Sequence, residues 1–198
     1  MKKIVFATNN KHKLQEVKAI LAGKADVLGL ADIGCNDDIP ETGNTLEENA
    51  LLKARYVYEK FNTGCFADDT GLEIEALDGR PGVYSARYAG EHTNSANNIE
   101  KVLHEMEGIT NRTAQFRTVI AYIEKEEIQL FEGIVRGKIA EKPEGNGGFG
   151  YDPVFIPEGF EHSFAALNPE LKNAISHRAR AVAKLSEYLI DVAQKPNK

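Results

Sequence analysis

Apolar and polar positions change period several times along the chain, and each change predicts a new element. Ile4-Val5-Phe6-Ala7 is a short apolar run and predicts a strand over Lys3 to Thr8. Leu14, Val17, Ile20 and Leu21 recur at helical spacing and predict a helix from about His12 to Ala22. A short strand is expected near Val27 to Leu30. Thr45 and Glu48 form a Thr-x-x-Glu capping box, opening a helix to about Phe61 with Leu46, Ala50, Leu51, Ala54, Tyr58 and Phe61 on one face. A strand near Cys65 to Ala67 then ends in Asp68-Asp69-Thr70-Gly71, and a second strand alternates through Leu72, Ile74 and Ala76. A loop over Asp78 to Gly90 precedes a helix over Asn94 to Met106. Gln115 to Ile123 and Ile128 to Ala140 are β-branched and aromatic and read as a hairpin turning at Glu124 to Glu127. A glycine-rich loop spans Pro143 to Gly159, and the last helix runs from about Ser176 to Val192 with Val182, Leu185, Leu189 and Val192 inward. Helices and strands alternate, but the hairpin argues against an all-parallel sheet. The expectation is an α/β fold: a mixed central β-sheet flanked by helices.

No repeat or linker divides the chain, so residues 1–198 read as a single α/β domain. Its 42% hydrophobic content is close to ordinary globular values and suffices for a core without covalent staples. Cys35 and Cys65 make no disulfide framework; Cys65, inside Cys65-Phe66-Ala67, reads as a buried small hydrophobe. A reducing, cytoplasmic setting is expected. The apolar run after Lys2 and Lys3 is too short for a signal peptide, and no stretch approaches a membrane span. A net charge of -6 argues against general nucleic-acid binding. A phosphate ligand must therefore meet local cations, a bound metal ion, or both.

Several segments carry candidate chemistry. Thr8, Asn9, Asn10, Lys11, His12 and Lys13 lie where a strand gives way to a helix, whose N-terminal N–H groups favour phosphate. The same residues suit a capped, solvated turn, and they lack the glycines of a dinucleotide or Walker loop. Asp68 and Asp69 are hard oxygen ligands suited to magnesium, with Glu41 in Glu41-Thr42-Gly43 as a further candidate. Adjacent strand residues face opposite ways, so one of the two aspartates should dominate. Asp-Thr-Gly and Glu-Thr-Gly are also ordinary turn sequences. An aspartic-protease reading of Asp69-Thr70-Gly71 lacks the second such motif. Gly147-Gly148-Phe149-Gly150-Tyr151-Asp152-Pro153 places glycines around aromatics, allowing close approach of a flat ligand, with Phe149 or Tyr151 stacking on a base and Asp152 as an acceptor. The alternative is a loop tucking its aromatics into the core. Lys172 precedes Ser176-His177-Arg178, where Ser176 reads as an N-cap and His177 and Arg178 oppose the helix dipole, which suggests a ligand. Arg80 to Tyr88 is dense in Arg and Tyr and suits either the rim of a site or a subunit interface.

Together these segments resemble the inosine triphosphate pyrophosphatase family, the dITP/XTP pyrophosphatases. The resemblance covers Ile4 to about Leu189. It rests on Thr8-x-Asn10-x-x-Lys13, Glu41-Thr42-Gly43, Glu48-Asn49-Ala50 with Lys53-Ala54, Ala67-Asp68-Asp69-Thr70-Gly71, Pro81-Gly82-x-Tyr84-Ser85-Ala86-Arg87, Gly148-Phe149-Gly150-Tyr151-Asp152-Pro153 and Ser176-His177-Arg178. Asn9 stands where many members have glycine. The resemblance implies a homodimer of two-lobed subunits with a substrate cleft. It implies hydrolysis of ITP, dITP and XTP to the monophosphate and pyrophosphate, with Mg2+ as cofactor. Thr8 to Lys13 would grip the triphosphate. Asp69 would be the catalytic acidic residue, a carboxylate that also ligates the metal, with Glu41 as a further metal ligand and Asp68 alongside. Lys53, Thr70 and Lys172 would contact substrate. Phe149, Gly150, Tyr151 and Asp152, with His177 and Arg178, would hold the base; a donor such as Arg178 would pair with a 6-oxo purine and oppose adenine's amino group. The competing readings are a related pyrophosphatase for pyrimidine or modified nucleotides and a nucleotide sensor without catalysis.

Overall fold

The structure, a computed structural model, describes residues 2–90 and 94–194. Its strands are β1 (Lys2–Phe6), β2 (Ala25–Leu28), β3 (Cys65–Ile74), β4 (Thr113–Glu124), β5 (Glu127–Ile139) and β6 (Phe155–Pro157). Its helices are α1 (Lys11–Ile20), α2 (Leu46–Phe61), α3 (Ser95–Glu105), α4 (Pro169–Ile175) and α5 (His177–Gln194). The strands form one six-stranded sheet in the order β2-β1-β3-β4-β5-β6. β1 is parallel to β2, with Ile4 opposite Val27, and to β3, with Phe6 opposite Phe66. β6 is antiparallel to β5, with Ile139 opposite Phe155. Lys125 and Glu126, at φ 50° and 67°, form the two-residue left-handed turn from β4 to β5, a connection that joins antiparallel neighbours. The sheet is therefore mixed, as the alternating pattern with one hairpin predicts.

Local chemistry explains the starts and stops. Thr45 Oγ1 accepts from Glu48 N at 3.1 Å and caps α2. The Glu48 carboxylate reaches back one residue further than a capping box requires, to Asn44 N at 2.6 Å. The helix ends at Phe61, with Asn62 in the left-handed conformation. Its buried face is rotated from the predicted apolar stripe: Leu46, Asn49, Ala50, Lys53, Ala54 and Val57 are buried, whereas Leu51, Tyr58 and Phe61 are half-buried. Two polar residues thus hold core-facing positions.

Other expectations are corrected. Asp68-Asp69-Thr70-Gly71 is no turn between two strands; β3 runs straight through it. A Cβ on Gly71 would stand 2.6 Å from the Gly82 carbonyl oxygen, so glycine there admits a neighbouring backbone. β6 and a 3-10 turn over Asp152–Val154 lie inside the expected loop of 143–159. The final helix is preceded by another, α4, capped by Asn168 Oδ1 on Leu171 N at 3.1 Å, with Pro169 in its first turn. Extended Ser176, at φ −64° and ψ 158°, separates α4 from α5.

The chain divides into two compact units. The first comprises Met1–Asp69, Thr118–Gly133 and Arg178–Lys198. Its core gathers Ile4, Phe6, Val17, Leu21, Phe66, Ile120, Val182 and Leu185, with Phe6 and Phe66 stacked at 4.6 Å and 5°. The second comprises Thr70–Arg117 and Ile134–His177, with a core including Leu72, Ile74, Val102, Met106, Phe116, Phe155 and Phe164. Cys35 and Cys65 are free and buried. Cys65 Sγ donates to Ala54 O at 3.2 Å, and burial pushes its thiol up to about 12. Among the described residues no helix is long and apolar enough to cross a membrane.

Candidate functional site

β3 delivers Asp68 and Asp69 in succession, and strand alternation sends them to different partners. Asp68 Oδ1 accepts from Lys13 Nζ at 3.0 Å, and Oδ2 accepts from Arg178 Nε at 3.2 Å. Arg178 Nη1 also pairs with Glu16. Glu16, Arg178, Asp68 and Lys13 thus form a chain of alternating charge, in which Asp68 and Arg178 are each 1% exposed. Such pairing is what makes buried charge tolerable. Burial opposes ionisation of Asp68, but Lys13, Arg178 and Lys53 outweigh it and hold its carboxyl far below the usual range. Burial lowers the Lys13 ammonium, with Lys53 and Arg178 adding to the effect against the pull of Asp68.

Asp69 has a different setting. Its Oδ2 accepts from Asn49 Nδ2 at 3.1 Å, and Lys53 Nζ stands 3.8 Å from its Oδ1. Lys53 also donates to the Glu41 carboxylate. Burial raises the Asp69 carboxyl; Lys53 and Lys13 act against this and Glu41 adds to it, leaving a net rise. Burial works against the Lys53 charge, yet Asp69, Glu41 and Asp68 raise its pKa. The sequence expectation that one aspartate dominates takes this form: Asp68 is locked between cations, while Asp69 is the carboxylate that burial keeps basic.

Glu41 and Asp69 offer hard oxygen atoms on either side of one lysine. Magnesium is commonly held by one or two carboxylates, with water and substrate phosphate completing its shell. That donor set fits. Among the described residues no group of three or more His, Cys, Asp or Glu side chains forms a ready-made metal cage.

The Thr8–Lys13 turn differs in detail from the expectation of open amides. Asn10 caps α1, its Oδ1 accepting from His12 N at 3.0 Å and Lys13 N at 3.1 Å. Thr8 Oγ1 accepts from Asn10 N at 3.1 Å, and Asn9 Nδ2 donates to Asp37 O at 3.1 Å. Lys11 and His12 are exposed, and Lys13 turns to the carboxylates.

In the second unit, Asp152 Oδ2 accepts from Lys172 Nζ at 2.6 Å and from Phe149 N at 2.8 Å. A Cβ on Gly148, which has φ +66°, would meet that oxygen at 2.1 Å. The glycine here admits the protein's own carboxylate, a different reason from approach to a flat ligand. Tyr151 lies in the core, its hydroxyl donating to Ser85 O at 2.7 Å. Phe149 is half-buried, with Lys172 Nζ 4.9 Å from its ring centre; Gly150 is also half-buried. His177 is buried and stacks on Phe116 at 4.5 Å. Thr70 follows Asp69 in β3 and is half-buried. Arg178, expected to read the base, has its guanidinium in the first unit's charge chain. In the Arg80–Tyr88 loop, Arg80 Nη1 donates to Tyr88 OH at 3.1 Å, and both residues bond Glu105 of α3.

Sequence reasoning passed over Asn49 and Glu16 as functional residues. Asn49 links the segments, its Oδ1 accepting from Gly43 N at 2.7 Å. Its signal was a poor helix former at a core-facing position of α2. Glu16 lies one turn beyond Lys13 on α1, a spacing that places both on one face.

Comparison with known proteins agrees with the motifs. The Ham1 family pattern matches residues 4–188. A Porphyromonas gingivalis protein named dITP/XTP pyrophosphatase is 56% identical over 191 residues, 96% of this chain and 98% of its own. The Staphylococcus aureus Ham1 protein structure superimposes with a TM-score of 0.87 at 42% identity, covering 96% of this chain and all (100%) of that one. A HAM1 protein from Coxiella burnetii gives 0.88 at 40% identity, with the same 96% and 100% coverage. On this evidence of sequence and fold together, the chain belongs to the Ham1 family.

Proposed function

We propose that this protein hydrolyses non-standard purine nucleoside triphosphates, ITP, dITP and XTP, to the monophosphate and pyrophosphate. The observation that carries the reading is the cluster of Lys13, Lys53, Glu41, Asp68 and Asp69, in a family with relatives named for this activity. Lysines and carboxylates in alternation suit a metal-bound triphosphate better than a bare anion.

In the proposed reaction a water oxygen bonds to the α-phosphorus, and the bond from that phosphorus to the α–β bridging oxygen breaks. Pyrophosphate leaves with the electron pair. Asp69 orients the water and takes up its proton, a role suited to a carboxyl that burial raises above its ordinary value. Lys13 and Lys53 stabilise charge on the phosphate oxygens; positioning and electrostatics dominate such chemistry. Asp68 keeps Lys13 in place, and Asn49 does the same for Asp69. Glu41 and Asp69 would hold Mg2+, which supplies charge neutralisation and polarises phosphate oxygens.

Base choice follows from hydrogen-bond direction. Hypoxanthine and xanthine carry an acceptor at position 6, where adenine has a donor. Lys172, His177 and the backbone N–H groups of Phe149–Asp152 are the second unit's candidates for that pairing, with Phe149 as a stacking surface. A mispaired buried group costs about 1–3 kcal/mol, and several together discriminate about 10⁴-fold. The same proposal includes a homodimer acting in the cytoplasm, without nucleic-acid partners; the net charge of -6 supports the last point.

The test is pyrophosphate release from a panel of common and deaminated triphosphates, with and without magnesium. ITP, dITP and XTP should be hydrolysed at least about 10²-fold faster than ATP, and only with the metal. Preference for dTTP or UTP would overturn the substrate class. Bound ITP that stays intact would favour a sensor.

A further inference from the structure

From Cys35 to Gly43 the chain has neither helix nor strand, yet this segment carries Glu41. What holds it is a polar stripe on α2. Asn49, Lys53, Tyr56 and Lys60 follow at helical spacing and so share one face. Each engages the irregular segment. Asn49 Oδ1 accepts from Gly43 N at 2.7 Å, and Lys53 donates to Glu41. Tyr56 OH and Lys60 Nζ both donate to Asp37 Oδ2, at 2.9 and 2.5 Å. The segment therefore runs along the helix, tied at every turn. The last tie has an extra link: the Asp37 backbone carbonyl accepts from Asn9 Nδ2 at 3.1 Å. Cys35 Sγ stands 3.5 Å from the same Asp37 carboxylate oxygen. Bonds from Lys60, Tyr56 and Cys35 hold that carboxyl below its usual range.

We propose that Asp37 is a positioning residue that fixes the segment bearing Glu41 to α2 and, through Asn9, to the turn that leads to Lys13. It touches no reacting atom. Its side chain joins the helix stripe, its backbone joins the Thr8–Lys13 turn, and Glu41 lies four residues further along, a reach of roughly 14 Å when extended. Both phosphate-facing segments of the first unit thus share one anchor.

The inference rests on the proposed pyrophosphatase reading, and the experiment separates the two. Asp37→Ala should raise KM for ITP and the magnesium concentration for half-activity by about tenfold each, the usual scale for residues that orient ligands, with kcat changed less. The tie is exposed, so the melting temperature should stay near that of the wild type. Tyr56→Phe, which removes one donor, should shift KM in the same direction by a smaller factor. Asp37→Lys combined with Lys60→Asp restores the pair with reversed charge and should recover most of the loss. Hydrogen exchange gives a readout free of catalysis: amides over 36–43 and 8–13 should exchange faster in Asp37→Ala. An inactive wild type would sink the pyrophosphatase reading alone, and the exchange comparison would still decide the role of Asp37. Wild-type KM, metal requirement and exchange in Asp37→Ala would overturn the inference, as would a KM rise that the charge-reversed pair fails to recover.

Discussion

The Asn49 side chain reads both ways along the active cluster: its Nδ2 donates to Asp69 Oδ2 at 3.1 Å while its Oδ1 accepts from Gly43 N at 2.7 Å. One amide therefore sets the Asp69 carboxylate against the Glu-Thr-Gly segment. A Cβ on Gly43 would sit 2.8 Å from that Asn49 oxygen, which explains the glycine. Asn49→Ala takes one partner from the half-buried Gly43 N–H and one from the buried Asp69 carboxylate oxygen. It should destabilise the fold by about 1–3 kcal/mol in urea unfolding. Activity should fall by about 10–100-fold. Unchanged unfolding and rate would show that the amide bridge carries neither load.

Asp69→Asn separates function from stability. Pyrophosphate release should drop by about 10²–10⁴-fold, the span of a lost general base. Stability should move the other way. The folded-state pKa of Asp69 lies above its unfolded value, so at neutral pH the ionised group opposes folding. Acidification through the raised pKa relieves that penalty, and the relief is complete below the unfolded value. Asp69→Asn should therefore melt higher than wild type near neutrality, and its advantage should shrink as pH falls. Melting curves from pH 4 to 8 check the sign; a variant less stable at pH 7 would show that the cations, not burial, govern this carboxyl.

Lys53 links Glu41 and Asp69, with Nζ bonded to one and 3.8 Å from the other. Lys53→Met leaves two carboxylates facing each other without the cation. The proton then binds Asp69 more tightly, because the charge that lowered its pKa is gone. The acid limb of the pH–rate profile should move to higher pH, with kcat/KM down by about 100-fold or more at pH 7. An acid limb in the wild-type position would assign that limb to another group.

How much of this was legible in the sequence depends on how local the causes are. The start of α2 was readable because Thr45 and Glu48 act within one turn. The hairpin was readable because β4 and β5 are long and separated by two turn residues. The continuity of β3 was not. Asp-Asp-Thr-Gly favours a turn when taken locally; in the fold its first carboxylate is neutralised by Lys13, 55 residues away, and Arg178, 110 residues away. The pairing of Arg178 was hidden for the same reason: its partner Glu16 lies 162 residues distant, and the helix-start position alone gave no hint of it. β6, Phe155–Pro157, is too short for any period to show. The polar face of α2 was hidden because Asn49 and Lys53 hold positions that pattern reading reserves for apolar side chains.

Cys65 gives a pH test on the other side of neutrality. Its thiol is pushed up to about 12 from an ordinary value of 9.0 by burial against α2. The neutral thiol is what the fold favours. Stability should thus be intact below the unfolded pKa and decline as pH rises from about 9 toward 12, where the unfolded chain alone ionises. Cys65→Ala should flatten that decline in alkaline melts, relative to wild type. An equal decline in both would assign it to the buried tyrosines. The native thiol should also resist alkylation at pH 8.

A crystal structure of Asp69→Asn with ITP and magnesium would locate the triphosphate and the cation together. The triphosphate should lie against Lys13 and Lys53, with the cation at Glu41 and residue 69. A triphosphate bound away from these residues, or a cation held by other ligands, would contradict that placement.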